Sequence, residues 1–593
     1  MRFVAAALLC VGIFCLGLPL EAANVHIGTG RALLGSSVPT SLLPNQVPGL
    51  QLWLSADVNT FTDSGCSAPA TNGQGVQCWG DRSGKGNNAT QATGADQPTL
   101  ATAVQNGLSG ITFNGSSDIF SSSYLGNPGT CIAAYLAKAV TTSDPTLELA
   151  LLWANNGTGA ASFALRVGTS GTGAGPFTQA SYAIENTSSA VFSTALSAQF
   201  NVPDIIGFRG GGTAAALAYR WNIPSQAAGD LTGTQNAIAA AAIGGDLGSA
   251  TRFNGYIYEI ACYSGSITTL QYSQVVAYLQ NKWGINQPTG NYYLTGMESL
   301  GGSSVFSHFS LYMLRSSDGV HWKWVPSNIV PNTGNLTTSN SIQDPALLLA
   351  ASSPHTGGLD WLAVSNYPNN GFPSSNSWDL YSSPAGTNNF AFVQHIDASA
   401  FTGSTVGSSA VANPSWFIDT DGSIHVVVAA LSASSGNHAV LEFHPTTQGN
   451  MAGPWSAPSS NINPVSQPFN LNGPTVYNVS GIYYQFYTNG GSSIINYATS
   501  TTNFSGYSVV QAGDFGGWSA GLGNHSIEQA GFLNVSGTIY GYGYDFTAPK
   551  AFYSQLTGTF PTGTWGTPTA ITTNIQNGGV IQDGIYTRAA GSP

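Results

Sequence analysis

The chain alternates apolar and polar positions in short runs, and turn residues interrupt these runs about every 8 to 12 positions. In a strand, successive side chains point to opposite faces, so an alternating run has one face that can pack in a core. The pattern predicts an all-β protein built as a sandwich, a barrel or a propeller. The clearest predicted strands are 111–113, 162–167, 256–263, 425–431 and 482–487.

One segment has the spacing of a helix instead. Thr268 or Thr269 can cap its start, and Gly284 can end it. Turn-forming residues follow at once, so we predict a first domain at 45–286, a linker at 287–290 and a second domain at 291–593. The apolar positions of this predicted helix are Leu270, Val275, Val276, Leu279 and Trp283.

The N-terminus has the pattern of a signal peptide. Arg2 precedes an almost uninterrupted apolar stretch at 3–20, and the small residues Ala22 and Ala23 suit cleavage. We predict a signal peptide at 1–23, an N-terminal segment at 24–44, and a secreted or periplasmic protein. An uncleaved anchor is the alternative. No other run of about 18 apolar residues is present, so no membrane span is expected after cleavage.

Composition excludes two classes of protein. Of the 593 residues only 7% are charged, and the net charge is −12, so the basic stripe that nucleic acids require is missing. Aromatic residues make up 11% of the chain, which supplies more core material than a disordered protein has. We expect a monomer with no nucleic-acid partner.

Four of the six cysteines lie outside the signal peptide. An even number in an exported protein favours two disulfides, and four cysteines allow three pairings. From their spacing we prefer Cys66 with Cys78, and Cys131 with Cys262. No CxxC pair or neighbouring histidine pair accompanies them, so no metal site is expected here.

The first domain carries three stretches in a recognisable order. They are PGLQLWLSAD at 48–57, WGDRSGKGNNATQ at 79–91 with QPT at 97–99, and GITFNG at 110–115, before a closing GYIYEI at 255–260. Their order resembles the LamG-like jelly rolls of the concanavalin A type. The resemblance implies a module that binds carbohydrate or serves as a spacer. Within it, Leu50, Leu52 and Leu54 alternate with other residues, and we expect all three to face the interior.

Three loop carboxylates of this domain could ligate a structural calcium ion, since calcium takes oxygen ligands from loops. They are Asp57, Asp81 and Asp118. The simpler interpretation is that they cap backbone N–H groups. No other cofactor is expected.

The second domain contains a weak internal repeat. Each unit starts with a small or acidic residue near Pro or Gly, runs into an apolar strand, turns at Gly or Asn-Gly, and continues into an aromatic strand. The units begin at Asp344, Asn413, Asn472 and Glu528, at separations of 69, 59 and 56 residues, which suits four-stranded propeller blades. A fifth unit begins near Tyr292, and we expect residues 577–581 to supply its first strand and close the ring.

Several motifs of the repeat resemble the five-bladed propellers of family 43 glycoside hydrolases. They are Asp-Pro at 344–345, Asn-Gly-Pro at 472–474, Gly-Ile-Tyr-Tyr at 481–484 and Ser-Ser-Asp-Gly-Val-His-Trp at 316–322. The resemblance covers nearly all of 290–593. It implies a five-bladed β-propeller that acts on polysaccharides containing arabinose or xylose.

Family 43 catalysis requires two carboxyl groups about 6.5 to 9.5 Å apart, one to deprotonate water and one to protonate the leaving oxygen. The resemblance implies a base Asp, an auxiliary Asp and an acid Glu at three successive blade openings. Asp344 matches the base, whereas Asn413 and Asn472 stand at the auxiliary and acid positions. An amide cannot donate the required proton, so this chain departs from the family pattern at that step.

Glu528 opens another unit and could replace the missing acid opposite Asp344. His525 could tune the proton affinity of Glu528, or hold a water molecule or an ion. The alternative is that Asp344 and Glu528 bind backbone N–H groups or sugar hydroxyls without catalysis. Asn413, Asn472 and His525 are then candidate substrate-binding residues.

Tryptophans offer flat faces on which sugars can stack. We expect most to lie in the core, including Trp361 and Trp416. Trp378 and Trp518 are the candidate sugar platforms, because each lies in a polar or glycine-rich stretch.

Two functions follow from the sequence. The first is an exported glycoside hydrolase with an accessory carbohydrate-binding module. The second is a noncatalytic carbohydrate-binding or adhesion protein with a degenerate propeller site. In both, the partner is a polysaccharide or oligosaccharide.

Overall fold

A computed structural model describes most of the chain from residue 41 onward. The predicted signal peptide and most of the segment 24–44 lie outside the described residues. Within 41–593 the description omits residues 125, 127, 139–148, 156–160, 168–178, 186–189, 198–199, 210–216, 225–237, 239, 246–251, 300–308, 327, 330–340, 368–376, 398–409, 432–437, 457–470, 490–493, 503–504, 546–549, 574–587 and 590–593.

The first half consists of antiparallel strands followed by a helix. The helix, α1 (Thr269–Trp283), is capped by the Thr268 side chain and ends at Gly284 in the left-handed conformation, which confirms the predicted helix. The strands are β1 (Leu50–Ser55), β2 (Thr60–Phe61), β3 (Cys78–Trp79), β4 (Ala89–Thr90), β5 (Thr99–Gln105), β6 (Leu108–Asn114), β7 (Phe120–Ser122), β8 (Thr130–Ala137), β9 (Leu149–Asn155), β10 (Ala161–Val167), β11 (Gln179–Glu185), β12 (Ala190–Ser197), β13 (Asp204–Arg209), β14 (Leu217–Arg220), β15 (Ile223–Pro224), β16 (Ala240–Ile243) and β17 (Asn254–Tyr263).

These strands form two sheets that enclose one core. The first sheet has the order β15-β14-β13-β8-β17-β6-β5 with β1 on β17, and the second has the order β12-β11-β10-β9-β16-β7-β4-β3-β2. Buried residues from both sheets meet between them, among them Phe113 and Tyr135 of the first sheet and Trp79 and Leu152 of the second. The predicted all-β class is therefore confirmed.

The expected orientation of the leucines in β1 is correct only in part. Leu52 and Leu54 face the core between the sheets, but Leu50 packs in a different hydrophobic cluster on the outer face. The register of β1 on β17 shifts between Leu50 and Leu52. An irregularity of this kind adds a residue and reverses the direction of the side chains before it, which alternation alone does not reveal.

Both preferred disulfides are present, so the predicted pairing is confirmed. Cys66 and Cys78 have Cα atoms 5.5 Å apart, and Cys131 and Cys262 have Cα atoms 4.2 Å apart. Cys131 and Cys262 are directly opposite each other on β8 and β17, so this bond fastens the middle of the first sheet.

The described residues of the second half are mostly strands, of which the last is Arg588–Ala589. A short helix, α2 (Trp518–Gly521), precedes the strand Ile527–Val535. The strands are β18 (Tyr292–Ser299), β19 (Phe309–Ser316), β20 (His321–Val325), β21 (Asn328–Ile329), β22 (Ser341–Leu348), β23 (Leu359–Tyr367), β24 (Ser377–Pro384), β25 (Asn389–Asp397), β26 (Ala410–Ile418), β27 (Ile424–Leu431), β28 (His438–Phe443), β29 (Leu471–Val479), β30 (Ile482–Asn489), β31 (Ile495–Ser500), β32 (Ser508–Gln511), β33 (Ile527–Val535), β34 (Thr538–Asp545), β35 (Lys550–Thr557), β36 (Thr564–Trp565), β37 (Thr569–Ala570), β38 (Thr572–Thr573) and β39 (Arg588–Ala589).

In the described residues these strands form five sheets that begin with β18, β22, β26, β29 and β33. Each first strand contacts the first strand of the next sheet. The order closes because β39 pairs with β18 and also contacts β33. We expected residues 577–581 to close the ring, but they lie outside the described residues, and the closing strand is the later Arg588–Ala589.

The two halves share a hydrophobic cluster. Its members include Val276 and Trp283 of α1 and Leu294 and Trp322 of the second half. Trp221 of the first half meets Trp324 edge to face, with ring centroids 6.0 Å apart. The linker is held as well, because the Arg315 guanidinium donates to the backbone oxygens of Pro288 and Gly290. The domain division at 287–290 stays a prediction.

Among the described residues, we find no helix that is both long and apolar enough to cross a membrane.

Candidate functional site

The first strands of four successive sheets share one irregularity. In β22, β26, β29 and β33 the pairing with the second strand of the sheet skips two residues at one point, which is the mark of a β-bulge. Bulges change the direction of a strand and the orientation of its side chains, so these four positions are structurally equivalent. The residues at the bulges are Asp344 and Pro345, Asn413 and Pro414, Gly473 and Pro474, and Gln529 and Ala530.

Three of the bulges also share an unusual backbone conformation. The φ angles are 52° at Asp344, 53° at Asn413 and 55° at Gly473. Gly adopts this left-handed conformation freely, and Asn and Asp tolerate it better than other side chains do. The motifs Asp-Pro, Asn-Pro and Gly-Pro therefore have a conformational explanation that is independent of any chemistry.

A serine on the neighbouring strand links two of the bulges. The Ser365 hydroxyl donates to Oδ2 of Asp344 at 2.7 Å, and the backbone N–H of Asn413 donates to Oγ of Ser365 at 2.8 Å. All three residues are buried, with Asp344 3% exposed. The Asp344 carboxylate is thus fixed in position between the sheets that begin with β22 and β26.

The bulge positions correct the equivalence assumed from the sequence. Asn472 and Glu528 each precede their bulge by one residue, so the counterparts of Asp344 and Asn413 are Gly473 and Gln529. The sequence spacing missed this offset because it cannot reveal where a strand acquires an extra residue. The side chains of Asn472 and Glu528 lie outside the described part of the structure, so their approach to Asp344 stays a prediction.

A cavity of about 340 Å³ lies between the same four strands. Its described lining begins at Ala346, two residues beyond Asp344, and continues to the far ends of the strands. The lining combines aromatic and polar side chains, which is the mixture that sugars require. These side chains are Trp416, Phe417, Tyr477, Ser352, Ser415, Asp419, Thr475 and Asn478.

The two predicted sugar platforms require correction. Trp378 is 0% exposed and packs edge to face against Trp416 and Trp455, while Trp518 is 1% exposed and packs against Trp565. A sugar cannot reach either ring in this structure. Their polar sequence neighbours were misleading, because each indole packs against aromatic rings from other parts of the chain.

Trp416 is the tryptophan that borders the cavity, although its sequence predicted a core residue. Its indole N–H donates to the backbone oxygen of Ala346 at 2.8 Å, which fixes the ring against the wall. Trp416 lies two residues after Pro414 in β26, and this closeness to the bulge is the signal that could have identified it.

His525 pairs with the carboxylate of Asp545, while its predicted contact with Glu528 stays a prediction because that side chain is not described. Nδ1 of His525 lies 2.7 Å from Oδ2 of Asp545, a fully buried side chain on the adjacent strand. A similar pair joins Nδ1 of His395 to Oδ1 of Asp379 at 2.6 Å in the sheet that begins with β22. The described contacts of His525 therefore explain it as the partner of a buried charge.

The loop carboxylates of the first half behave as backbone caps. Asp81 accepts hydrogen bonds from the N–H groups of Trp53, Ser83 and Asn87. Asp118 accepts one from the N–H of Asn114, and burial raises its pKa to about 6.

The third of these carboxylates, Asp57, is an ion-pair partner. Burial acts to raise the pKa of the Asp57 carboxyl, but hydrogen bonds from Ser55 and Lys282 outweigh burial and lower that pKa below its usual value. These contacts favour the structural interpretation over a calcium site.

Comparisons with known proteins find similarity in structure only. No protein-family model matches the sequence, and no curated protein matches it. The structure is similar to a xylan β-1,4-xylosidase from Bacillus halodurans, with a TM-score of 0.35 and 17% identity over 50% of this chain and 55% of that one. It is also similar to an α-L-arabinofuranosidase from Clostridium thermocellum, with a TM-score of 0.32 and 14% identity over 44% and 82%.

A third similarity is to a leech intramolecular trans-sialidase, with a TM-score of 0.28 and 11% identity over 78% of this chain and 80% of that one. At these values the similarity identifies neither a family nor a substrate. The chain is an all-β protein whose second half is a closed series of sheets around a cavity.

Proposed function

We propose that the protein is a secreted, carbohydrate-active protein whose second half is a five-bladed propeller of the glycoside hydrolase type. Asp344 acts as the base toward water and Glu528 as the acid toward the leaving oxygen. The first half is an accessory LamG-like jelly roll that binds the same polysaccharide. The two disulfides suit an oxidising compartment outside the cytoplasm.

One observation carries the catalytic part of the proposal: a carboxylate stands at a bulge whose counterparts need none. Asn413 and Gly473 adopt the same backbone conformation as Asp344. Backbone conformation alone therefore does not require Asp at 344. The Asp344 carboxylate is buried and accepts a hydrogen bond from the Ser365 hydroxyl, so it is held in one position at its bulge. A carboxylate fixed in this way suits the role of a base that deprotonates water beside a sugar.

The proposed substrate class rests on the motifs of the second half and on the side chains that line the cavity. We infer that a polysaccharide chain end, with arabinose- and xylose-containing glycans favoured, enters along the axis toward the bulges. Trp416 and Tyr477 offer apolar ring surface, and Asp419 and Asn478 offer hydrogen-bond partners for hydroxyls at the other end of the cavity.

The noncatalytic alternative also rests on one observation. Of the bulge residues equivalent to Asp344, Asn413 and Gly473 carry no acid, and neither does Gln529. A binding protein needs amides and carboxylates around the axis but no acid and base pair.

The deciding experiment measures hydrolysis and binding on one panel of arabinan, arabinoxylan, xylo-oligosaccharides and galactan. If the enzyme proposal is correct, the wild type releases sugar, and Asp344→Asn and Glu528→Gln each lower kcat about 100-fold or more while binding persists. Asp360→Asn is the matched control. Asp360 is also a buried carboxylate, but it accepts hydrogen bonds from the backbone N–H groups of Ala350 and Gly386. The Asp360→Asn substitution should therefore affect stability and leave kcat unchanged.

The outcomes separate the two candidates. Binding without hydrolysis across the panel supports the noncatalytic protein and rejects the enzyme. Hydrolysis that survives both substitutions rejects the assigned acid and base. Neither binding nor hydrolysis on any glycan rejects both functions.

A further inference from the structure

Two histidines and a glutamate meet at the sheet formed by β26, β27 and β28, away from the bulges. Nδ1 of His425 lies 2.7 Å from Oε1 of Glu442, and Nδ1 of His444 lies 2.9 Å from the same oxygen. His425 is on β27, Glu442 is on the paired strand β28, and His444 follows that strand directly. Within the described residues, this is the one group of three such side chains whose ligand atoms converge, all within 4.8 Å of one another.

We propose that His425, Glu442 and His444 bind a divalent transition-metal ion of the zinc type. The ligands are Nδ1 of each imidazole and Oε1 of the carboxylate, with solvent completing the coordination. This site is independent of the proposed glycan chemistry, and it departs from the sequence-based expectation of no metal or cofactor beyond a structural calcium ion. The pattern that could have revealed it is Glu-x-His at 442–444 opposite a histidine on the preceding strand.

The donor set selects the class of ion. Two imidazole nitrogens and one carboxylate oxygen suit zinc and similar transition metals, whereas calcium and magnesium prefer oxygen ligands throughout. In a tetrahedral zinc site with bonds near 2.0–2.1 Å, neighbouring ligand atoms lie about 3.3 Å apart. The contacts at 2.7 and 2.9 Å therefore need to lengthen by about half an ångström, and the two imidazole ligand atoms, which lie within 4.8 Å of each other, need to be about 3.3 Å apart to admit the ion.

Burial and exposure are distributed as a binding site requires. The Glu442 side chain is 2% exposed and that of His425 is 11% exposed, so a cation here would compensate a buried negative charge. The His444 side chain is 37% exposed, which leaves a path for entry and a place for solvent on the ion. The other buried histidine and carboxylate pairs, His395 with Asp379 and His525 with Asp545, form no such group of three in the described residues.

An outer hydrogen bond orients one of the ligands. Oγ of Ser423 lies 2.9 Å from Nε2 of His425. With the ion on Nδ1, the proton of the neutral imidazole sits on Nε2 and is donated to the Ser423 hydroxyl. Metal-binding histidines usually donate their second ring N–H to such a partner, which fixes both the tautomer and the ring orientation.

The test uses the purified full chain after treatment with a chelator and desalting. We expect titration calorimetry to give one Zn²⁺ ion per chain, and Co²⁺ at the same site to show the visible absorption of a four- or five-coordinate complex. His444→Ala and Glu442→Gln should weaken Zn²⁺ binding by about 100-fold or more, and Ser423→Ala by about 10-fold, in keeping with its outer position. Excess Ca²⁺ or Mg²⁺ should not displace the ion.

His395→Ala is the matched control, because it also removes an imidazole from a buried carboxylate but from a pair without a third ligand. It should bind Zn²⁺ as the wild type does. Absence of saturable Zn²⁺ binding to the wild type overturns the proposal, and this result does not depend on how any variant folds. Binding that is unchanged in both His444→Ala and Glu442→Gln overturns it equally.

Discussion

The Ser365 hydroxyl donates a hydrogen bond of 2.7 Å to the Asp344 carboxylate, and both side chains are buried. The Ser365 hydroxyl oxygen also accepts a hydrogen bond from the backbone N–H of Asn413, so one hydroxyl joins the bulges of two neighbouring sheets. Because these are the bulges that turn Asp344 and Asn413 into the left-handed conformation, the hydroxyl supports the candidate site as well as the sheets.

Replacing Ser365 with alanine should therefore destabilise the protein more than the loss of an ordinary buried serine. We expect Ser365→Ala to lower the free energy of unfolding by about 1.5 to 3 kcal/mol, the range for a hydrogen bond to a charged group, measured by urea denaturation. Ser383→Ala is the control. Ser383 is equally buried but accepts from the Asn389 N–H and donates to a neutral backbone oxygen, so its loss should cost about 1 kcal/mol. Equal costs would contradict the role given to the carboxylate.

A buried ion pair should dominate the stability of the first half. Arg220 and Asp204 lie 2.8 Å apart with both side chains fully buried, and Asp204 also accepts the indole N–H of Trp221. Removing one partner leaves an uncompensated charge, so Arg220→Met should lower the free energy of unfolding by about 3 to 5 kcal/mol, measured in denaturant.

The control for this ion pair is an exposed one. His321 and Asp318 are 71% and 49% exposed, and surface pairs contribute about 0 to 1 kcal/mol, so His321→Ala should have little effect on unfolding. A small effect of Arg220→Met would show that the buried pair is not the constraint we infer.

The two disulfides should differ in their contribution to stability. The bond between Cys131 and Cys262 spans 131 residues, and the bond between Cys66 and Cys78 spans 12. Restricting the unfolded chain over these lengths is worth about 5 and about 3 kcal/mol in the chain-entropy model. Replacing Cys131 and Cys262 by alanine should therefore cost about 2 kcal/mol more than replacing Cys66 and Cys78. Denaturant unfolding of the two double variants measures this, and a larger loss for the shorter loop would contradict it.

Asp118 should make stability depend on pH in a mildly acidic range. Burial raises its pKa from 3.8 to about 6, and Asp96 contributes in the same direction. Because the folded chain holds this proton more tightly than the unfolded chain, its contribution is fully present below the unfolded pKa. The contribution is lost as the pH rises through the folded pKa of about 6.

The measurement is the difference in unfolding free energy between the wild type and Asp118→Asn, followed from pH 4 to pH 7 at roughly 25 °C. The wild type should lose on the order of 1 kcal/mol relative to the variant, after allowance for screening by solvent. A constant difference, or one that grows in favour of the wild type with rising pH, would contradict the raised pKa.

Local patterns were sufficient where the structure depends on neighbouring residues. The alternating runs predicted the strands, and Thr268 and Gly284 predicted the ends of α1. In these cases the physical cause, side-chain alternation or capping, is contained in a short stretch of sequence.

Patterns failed where the outcome depends on how strands pair. The spacing of the strand openings displaced their equivalence by one residue in two of the four. The proline that follows Gly473 could have corrected the first of these, but nothing in 528–530 reveals that the extra residue falls after Glu528. Trp378 and Trp518 failed for a related reason: their polar neighbours are local, but the rings that bury them come from other strands.

The sequence by itself determined the all-β class and the helix between the two halves, because each depends on periodicity within the chain. Only the tertiary structure decided which residues meet: Ser365 with Asp344, Trp416 with the cavity, and His425 with Glu442 and His444. These contacts join residues on different strands, and strand register, including where a bulge inserts a residue, is fixed by packing across the whole sheet.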